Sequence, residues 1–414
     1  VMVTNDVLGI LEKVAENGHA PKAGCRLFGV GYEDAFSRLR ETYLIDRFQR
    51  GGSAEKFVVG PFGSGKTHFL RELLEIAVGE DCVTSEVALN KDIDFTNSLT
   101  VYREVSQELM APGSDLLGIN GLLVASLERV RSLAGDPSLE DQLVDSWVAG
   151  IDQRNFKLRS FGRILKRALQ SHLNNEPQTF ESACRWLGGE VSNRALARDL
   201  DTTVVAKNEE NLHAHRAMLS VFQFVKHAKF QGTVVGFDES EQGLSTDNRK
   251  INRILSMLQS DINALADLQD GSALIIYALT PDIVEKMDEF PALQQRVADP
   301  VRGRGFFDGE TLSPKIDLSA HSSRVDATEV LIAIGHSLIN FLYDQAGDAI
   351  SMPISETRSV VDIIAKNIID NSQGSGNRRA MAKETCARLV NLYDKGTLAN
   401  PDIASDARSN EPEV

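Results

Sequence analysis

The sequence predicts an α/β protein: a mostly parallel sheet covered by helices on both faces, with a helical insert and an α-rich C-terminal domain. Three observations predict it. Short apolar runs alternate with helical patterns from about residue 56 to 280, the order that builds parallel strands joined by crossover helices. From about 105 to 200 the periodicity is helical throughout, broken at Pro112-Gly113, Gly135-Asp-Pro137 and Gly188-Gly189. After Pro314 only helical patterns remain, over 326–346, 356–370 and 377–394.

Each element has a local reason. Residues 1–50 read as helical: the first 18 mix Asp6, Glu12, Lys13 and Glu16 into apolar positions, and Phe36, Leu39, Tyr43 and Phe48 fall near one face. Gly51-Gly52-Ser53 ends that pattern. Lys56–Val59 is a short strand entering a glycine-rich turn, and His68 to Val78 follows as a helix. Cys82 to Leu89 carries β-branched Val83, Thr84 and Val87, as strands prefer. His213–Ala228 and Ile251–Leu268 read as helices, and Gly232–Phe237 and Ala273–Leu279 as buried strands. The domain expectation is an N-terminal helical segment (1–50), a nucleotide domain (51–310) with the insert at about 105–200, a C-terminal domain (311–399) and a polar, frayed tail (400–414).

Composition bounds the function. A chain of 414 residues exceeds one ordinary core. The hydrophobic share of 42% and charged share of 25% are globular values. No apolar run approaches the roughly 20 residues that span a bilayer, so no membrane partner is expected. Four well-separated cysteines form no CxxC, which argues against a disulfide framework or zinc site and for a reducing, cytoplasmic setting. A net charge of -15 argues against generic polyanion binding. The exception is local: Arg154 to Asn175 contains no acidic residue, and Arg159, Arg163, Lys166 and Arg167 share a helical face. That strip reads first as a face docking on an acidic partner or neighbouring domain, with a phosphate backbone as the alternative.

The motif that carries chemistry is Gly60-Pro61-Phe62-Gly63-Ser64-Gly65-Lys66-Thr67, which satisfies G-x-x-x-x-G-K-[ST] at every fixed position. Gly63 and Gly65 let the backbone turn its N–H groups inward to phosphate oxygens, and the following helix adds its positive end. Lys66 is expected to reach the β- and γ-phosphates, and the Thr67 hydroxyl to ligate Mg²⁺. His68 follows the cradle; its simpler reading is a first-turn residue packed on a neighbour.

A P-loop hydrolase also needs a carboxylate for the metal and a base to orient water. Thr233-Val-Val-Gly-Phe-Asp238-Glu239 offers both at a strand end: Asp238 for Mg²⁺, Glu239 for water. Ser240-Glu241-Gln242 follow as polar residues that could sense the nucleotide. Thr280, at the end of the next strand, is a candidate for the γ-phosphate or water, and equally a helix cap before Pro281. Transition-state charge calls for an arginine, sometimes in trans. Arg296 is the first candidate; Arg302 and Arg304 are others, and Arg378 or Arg379 would report nucleotide state to the α-rich domain.

Together three stretches resemble the ATP-binding proteins of BREX phage-defence systems, the BrxC/BrxD type, across about residues 20–395. They are Phe57–Leu70, with Val87–Leu89 and Leu99–Arg103; Ala183-Cys-Arg-Trp-Leu-Gly-Gly-Glu190; and Val235–Glu241. The length is similar to the short BrxD-type member. The resemblance implies an AAA+-like ATPase fold with a C-terminal helical or winged-helix part. It also implies ATP rather than GTP, homo-oligomers, DNA and other phage-defence proteins as partners, and a role in restricting phage. Where the family usually has an aliphatic residue before its Asp-Glu pair, this chain has Gly236-Phe237. The expected function is a Mg²⁺-dependent ATPase that assembles or remodels a DNA-associated complex. The alternatives are a nucleotide-dependent switch or scaffold with little hydrolysis, and a kinase, which the Asp238-Glu239 pair and the chain length disfavour.

Overall fold

The computed structural model describes residues 4–22, 24–89, 93, 96–238, 248–322, 326–371 and 376–398. Glu239, the Ser240-Glu241-Gln242 stretch and the 400–414 tail lie outside the described residues.

The fold is α/β, with many helices around a five-stranded sheet. The strands are β1 (Ala54–Val59), β2 (Cys82–Ala88), β3 (Gly232–Asp238), β4 (Ala273–Leu279) and β5 (Lys315–Asp317), in spatial order β2-β3-β4-β1-β5. The chain leaves β1 through the helix Lys66–Gly79 for the far edge, returns inward through β3 and β4, and ends beside β1 on its other side. Such reversals of strand order are where open α/β sheets bind ligands. β2, β3 and β4 run parallel, in a register that pairs Ala88 with Asp238 and Phe237 with Tyr277.

β3 and β4 are buried at every position, which is why their sequences are mostly apolar instead of alternating. The Gly236-Phe237 pair fits this layer. Phe237 stacks on Tyr277 at 5.1 Å, and Tyr277 on Phe57 at 5.7 Å. Three aromatic rings on adjacent strands thus occupy the place of smaller aliphatic side chains, and Gly236 sits in register with Glu86 and Ile276.

Two compact units divide the described residues, one drawn from 1–36, 58–75 and 316–414, the other from 37–57 and 76–315. The first unit joins both ends of the chain in one core. Val7, Leu11 and Val14 of the helix Thr4–Asn17 pack with Leu338 and Leu342 of Ala327–Ala346, Ile364 of Ile354–Asn371 and Leu389 of Asn377–Lys395. Each is nearly inaccessible, and full burial of such a side chain stabilises the fold by about 1.5–3 kcal/mol.

The second unit contains β2, β3, β4, the first four residues of β1 and the insert. The π-helix Arg40–Arg47 continues directly from Glu33–Leu39 and buries Tyr43 and Leu44. In the insert, the helix Ser98–Gln107 clasps the turn that ends the helix Pro177–Leu187. The Tyr102 hydroxyl donates to the Leu187 carbonyl, the Arg103 guanidinium donates twice to the Gly189 carbonyl at 3.1 and 3.0 Å, and Ser106 Oγ donates to Gly188 at 3.2 Å. Gly189 has φ of 101°, a conformation other residues rarely adopt. Leu99–Arg103 and Ala183–Glu190 are therefore one substructure, although 80-odd residues separate them.

Candidate nucleotide site

β1 delivers the chain into the loop Gly60–Thr67, and the helix Lys66–Gly79 begins within it. The loop is built on left-handed glycines: φ is 76° at Gly63 and 95° at Gly65. An L-residue adopts these angles only with strain, so glycine is required here by the backbone itself. Ser64 N–H donates to the Pro61 carbonyl at 3.2 Å and Phe69 N–H to Gly65 at 2.9 Å, which closes the turn and starts the helix.

The loop fits a phosphate chain on three counts. A Cβ built on Gly65 meets nothing within 4 Å, so space stands over the turn. Ser64 Oγ is buried without a hydrogen-bond partner among the described residues. The Lys66 ammonium, 8% exposed, donates to the loop's own Gly60 and Pro61 carbonyls at 2.9 and 3.2 Å and sits 5.4 Å from the Phe62 ring centre. A phosphate oxygen is a stronger acceptor for an ammonium than either of these carbonyls. Phe62 itself is 71% exposed at the tip.

The first helical turn is fastened to the N-terminal segment. His68 Nε2 lies 3.4 Å from Glu72 Oε2, and its ring tilts against Phe28 at 5.4 Å. Glu75 accepts from the backbone N–H groups of Cys25 and Arg26 at 2.8 and 3.0 Å, and Arg71 donates to the Ala20 carbonyl. Phe69 packs against Tyr32 and Phe36 at 5.3 and 4.6 Å. These contacts hold the helix whose N-terminus faces the loop.

The helix Asn377–Lys395 reaches the same loop. A Cβ on Gly63 would lie 2.7 Å from Gly376 Cα, closer than real Cβ atoms come to backbone. Arg378 and Arg379 follow at the helix start. The Arg378 guanidinium stands 4.8 Å over the Tyr32 ring, a cation–π contact, and Arg379 Nε donates to the Gly18 carbonyl at 3.0 Å. Phosphate loop, N-terminal segment and this helix start thus form one cluster in one compact unit. Sequence reasoning named the two arginines but missed Gly376 and Tyr32. A lone glycine before a helix and a lone tyrosine carry no local signal of the loop.

The other candidates lie in the second unit. Asp238 ends β3, 5% exposed, and its carbonyl accepts from Leu89 N–H at 2.9 Å. Thr280 follows β4 at the N-cap of Pro281–Glu289, yet its side chain makes no cap hydrogen bond. Arg296, in the last turn of Pro291–Val297, is exposed, as are Arg302 and Arg304. In the basic helix Arg159–Leu173, Arg159 and Arg163 are exposed. Lys166 is bound to Asp152 at 3.1 Å and to the Ala149 carbonyl at 2.9 Å, so part of the strip is occupied by the fold.

The BREX system ATP-binding protein BrxC/D family matches residues 7–331, most of the chain, including the phosphate loop and the acidic strand end. The chain belongs to this family. No curated protein and no solved structure matches it. The BrxC/D match stops within the helix Ala327–Ala346, so Gly376, Arg378 and Arg379 lie beyond it. Both halves of the 99–103 and 183–190 clasp lie inside the BrxC/D region. Among the described residues no helix is long and apolar enough to cross a membrane.

Proposed function

We propose that this BrxC/D-family chain binds ATP with Mg²⁺ on the Gly60–Thr67 loop and hydrolyses it. The observation that carries the reading is a phosphate loop with every signature residue, two left-handed glycines and open space over Gly65, in a chain of an ATP-binding family. The loop N–H groups and the helix N-terminus would hold phosphate oxygens, and Lys66 would exchange its two carbonyl partners for them. Thr67 and Asp238 are the oxygen donors assigned to Mg²⁺, which when bound would neutralise charge on the phosphates. Glu239 is the base assigned to orient water, with Thr280 and Arg296 as supporting contacts. Arg378 and Arg379 start a helix that touches the loop, which favours them as reporters of nucleotide state.

Fold-level support comes from strand order. β4 alone separates the strand that feeds the loop from the strand that ends at Asp238. We further assign the chain to homo-oligomers that act with DNA and other phage-defence proteins, with the exposed Arg296 available to a neighbouring copy. Equilibrium dialysis with ATP tests the first step: the wild-type chain should bind in the presence of Mg²⁺ and Lys66→Ala should bind far more weakly. Equal binding by the two would remove the loop from the account. Nucleotide-dependent assembly without turnover would instead favour the switch.

A further inference from the structure

A cavity of about 540 Å³ lies within the unit formed by 37–57 and 76–315, where residues 201–205 meet the helices Arg159–Leu173, Pro177–Leu187 and Glu210–His227. That volume is typical of small-molecule sites. None of the phosphate-loop residues lines it.

Its wall holds polar atoms that the fold does not use. Trp186 is 2% exposed, and its indole N–H has no hydrogen-bond partner among the described residues. His213 stands edge-on to Trp186, with ring centres 5.4 Å apart and planes at 88°, and neither of its ring nitrogens has a hydrogen-bond partner among the described residues. Burial lowers the His213 pKa, so the ring is neutral near pH 7 and presents one donor and one acceptor. Buried donors and acceptors are nearly always satisfied in folded proteins. Here two adjacent aromatic side chains are not, and both line the same cavity.

The remaining lining selects the ligand. Arg163 and Arg216 are exposed cations, while Asp201 and Glu209 are exposed carboxylates. Val204 and Leu212 add exposed apolar surface, at 42% and 52%. A bare anion would leave the rings and carboxylates idle, and a hydrocarbon would leave the indole N–H unmatched. We propose that this cavity binds a nucleotide-class molecule. Its base would offer acceptor and donor atoms to Trp186 and His213, its hydroxyls would donate to Asp201 or Glu209, and its phosphate would meet Arg163 and Arg216. Trp186 belongs to the Ala183–Glu190 segment, and the clasp from Tyr102 and Arg103 fixes the turn just beyond it. The segment thus has a ligand-facing residue as well as a structural role.

The test uses the full chain with Lys66→Ala, which disables the phosphate loop, and Trp147→Phe, which leaves Trp186 as the remaining one of two tryptophans. Its emission is followed during titration with AMP, GMP, CMP and UMP, and separately with inorganic phosphate. Thermal shift is measured on Lys66→Ala alone, so that the result does not depend on the Trp147 change. At least one nucleoside monophosphate should give a saturable change and raise the melting temperature. Arg216→Ala should weaken that binding about tenfold to a hundredfold, the range for lost hydrogen bonds to charged groups. The proposal is overturned if millimolar concentrations of all four leave emission and melting unchanged. It is equally overturned if inorganic phosphate alone reproduces the response, or if Arg163→Ala and Arg216→Ala both bind as tightly as their parent.

Discussion

Replacing Gly63 by alanine tests whether the loop and the Asn377–Lys395 helix act as one cluster. The backbone there has φ of 76°, which costs an L-residue about 1–2 kcal/mol. The new methyl would also stand 2.7 Å from Gly376 Cα, a side-chain atom against backbone, where no side-chain rotation relieves the contact. Gly376→Ala is the matched control: φ is 94°, similarly strained, but its Cβ would meet nothing within 4 Å. Strain alone should lower the melting temperature of either variant by about 2–8 °C. Only Gly63→Ala must also push the loop away from the helix start. Its ATP affinity, measured by calorimetry, should fall at least about tenfold, a difference of 1.4 kcal/mol. Indistinguishable melting and affinity in the two variants would refute the close approach.

Three other outcomes follow from separate parts of the molecule. Arg103→Ala removes both donors from the Gly189 carbonyl; denaturant unfolding should show a loss of about 1–3 kcal/mol, while ATP affinity is unchanged. Lys56 is 1% exposed and donates to the Thr311 and Ser313 carbonyls, and burial above all pushes its ammonium from an ordinary 10.5 down to about 7. A depressed folded pKa means the unfolded chain binds more protons between those values. Stability attributable to Lys56 therefore grows as pH rises from about 7 toward 10.5 and is lost as pH falls through 7, with an upper bound of about 5 kcal/mol. Unfolding of the wild type should gain on Lys56→Met between pH 6 and pH 9, and parallel curves would contradict this. For DNA, Arg159→Glu with Arg167→Glu should weaken binding and flatten its salt dependence by about one unit of slope per lost phosphate contact; a filter-binding salt series with an unchanged slope would remove the strip.

The sheet was readable where burial is two-sided. The run Ala273–Leu279 is apolar throughout and Gly232–Phe237 departs from that only at Thr233, a pattern that suits a covered parallel strand or a buried helix. The turn at Gly60–Thr67 was legible because its requirements are local: two left-handed glycines, a lysine and a hydroxyl within eight residues. What escaped notice is long-range. β5 is three residues with one apolar side chain, Ile316, and exists only because β1 lies beside it. The π-helix at Arg40–Arg47 looks like ordinary helix by periodicity, since its buried Tyr43 and Leu44 fit either register. The approach of Gly376 to Gly63, and the stacking of Arg378 on Tyr32, depend on how the last helix packs against the first. No spacing rule encodes that. The Ala183–Glu190 stretch stood out only by family resemblance. Its partner residues Tyr102 and Arg103 supply the physical reason for it.

The central claim is that one bound ATP is held by the loop lysine and cleaved with help from the carboxylate after Asp238. The most direct measurement is single-turnover hydrolysis of radiolabelled ATP with Mg²⁺, run beside equilibrium binding on wild type, Lys66→Ala and Glu239→Gln. Wild type should bind and cleave ATP, Lys66→Ala should do neither, and Glu239→Gln should bind without cleaving. Normal cleavage by Glu239→Gln, or undiminished binding by Lys66→Ala, would contradict it.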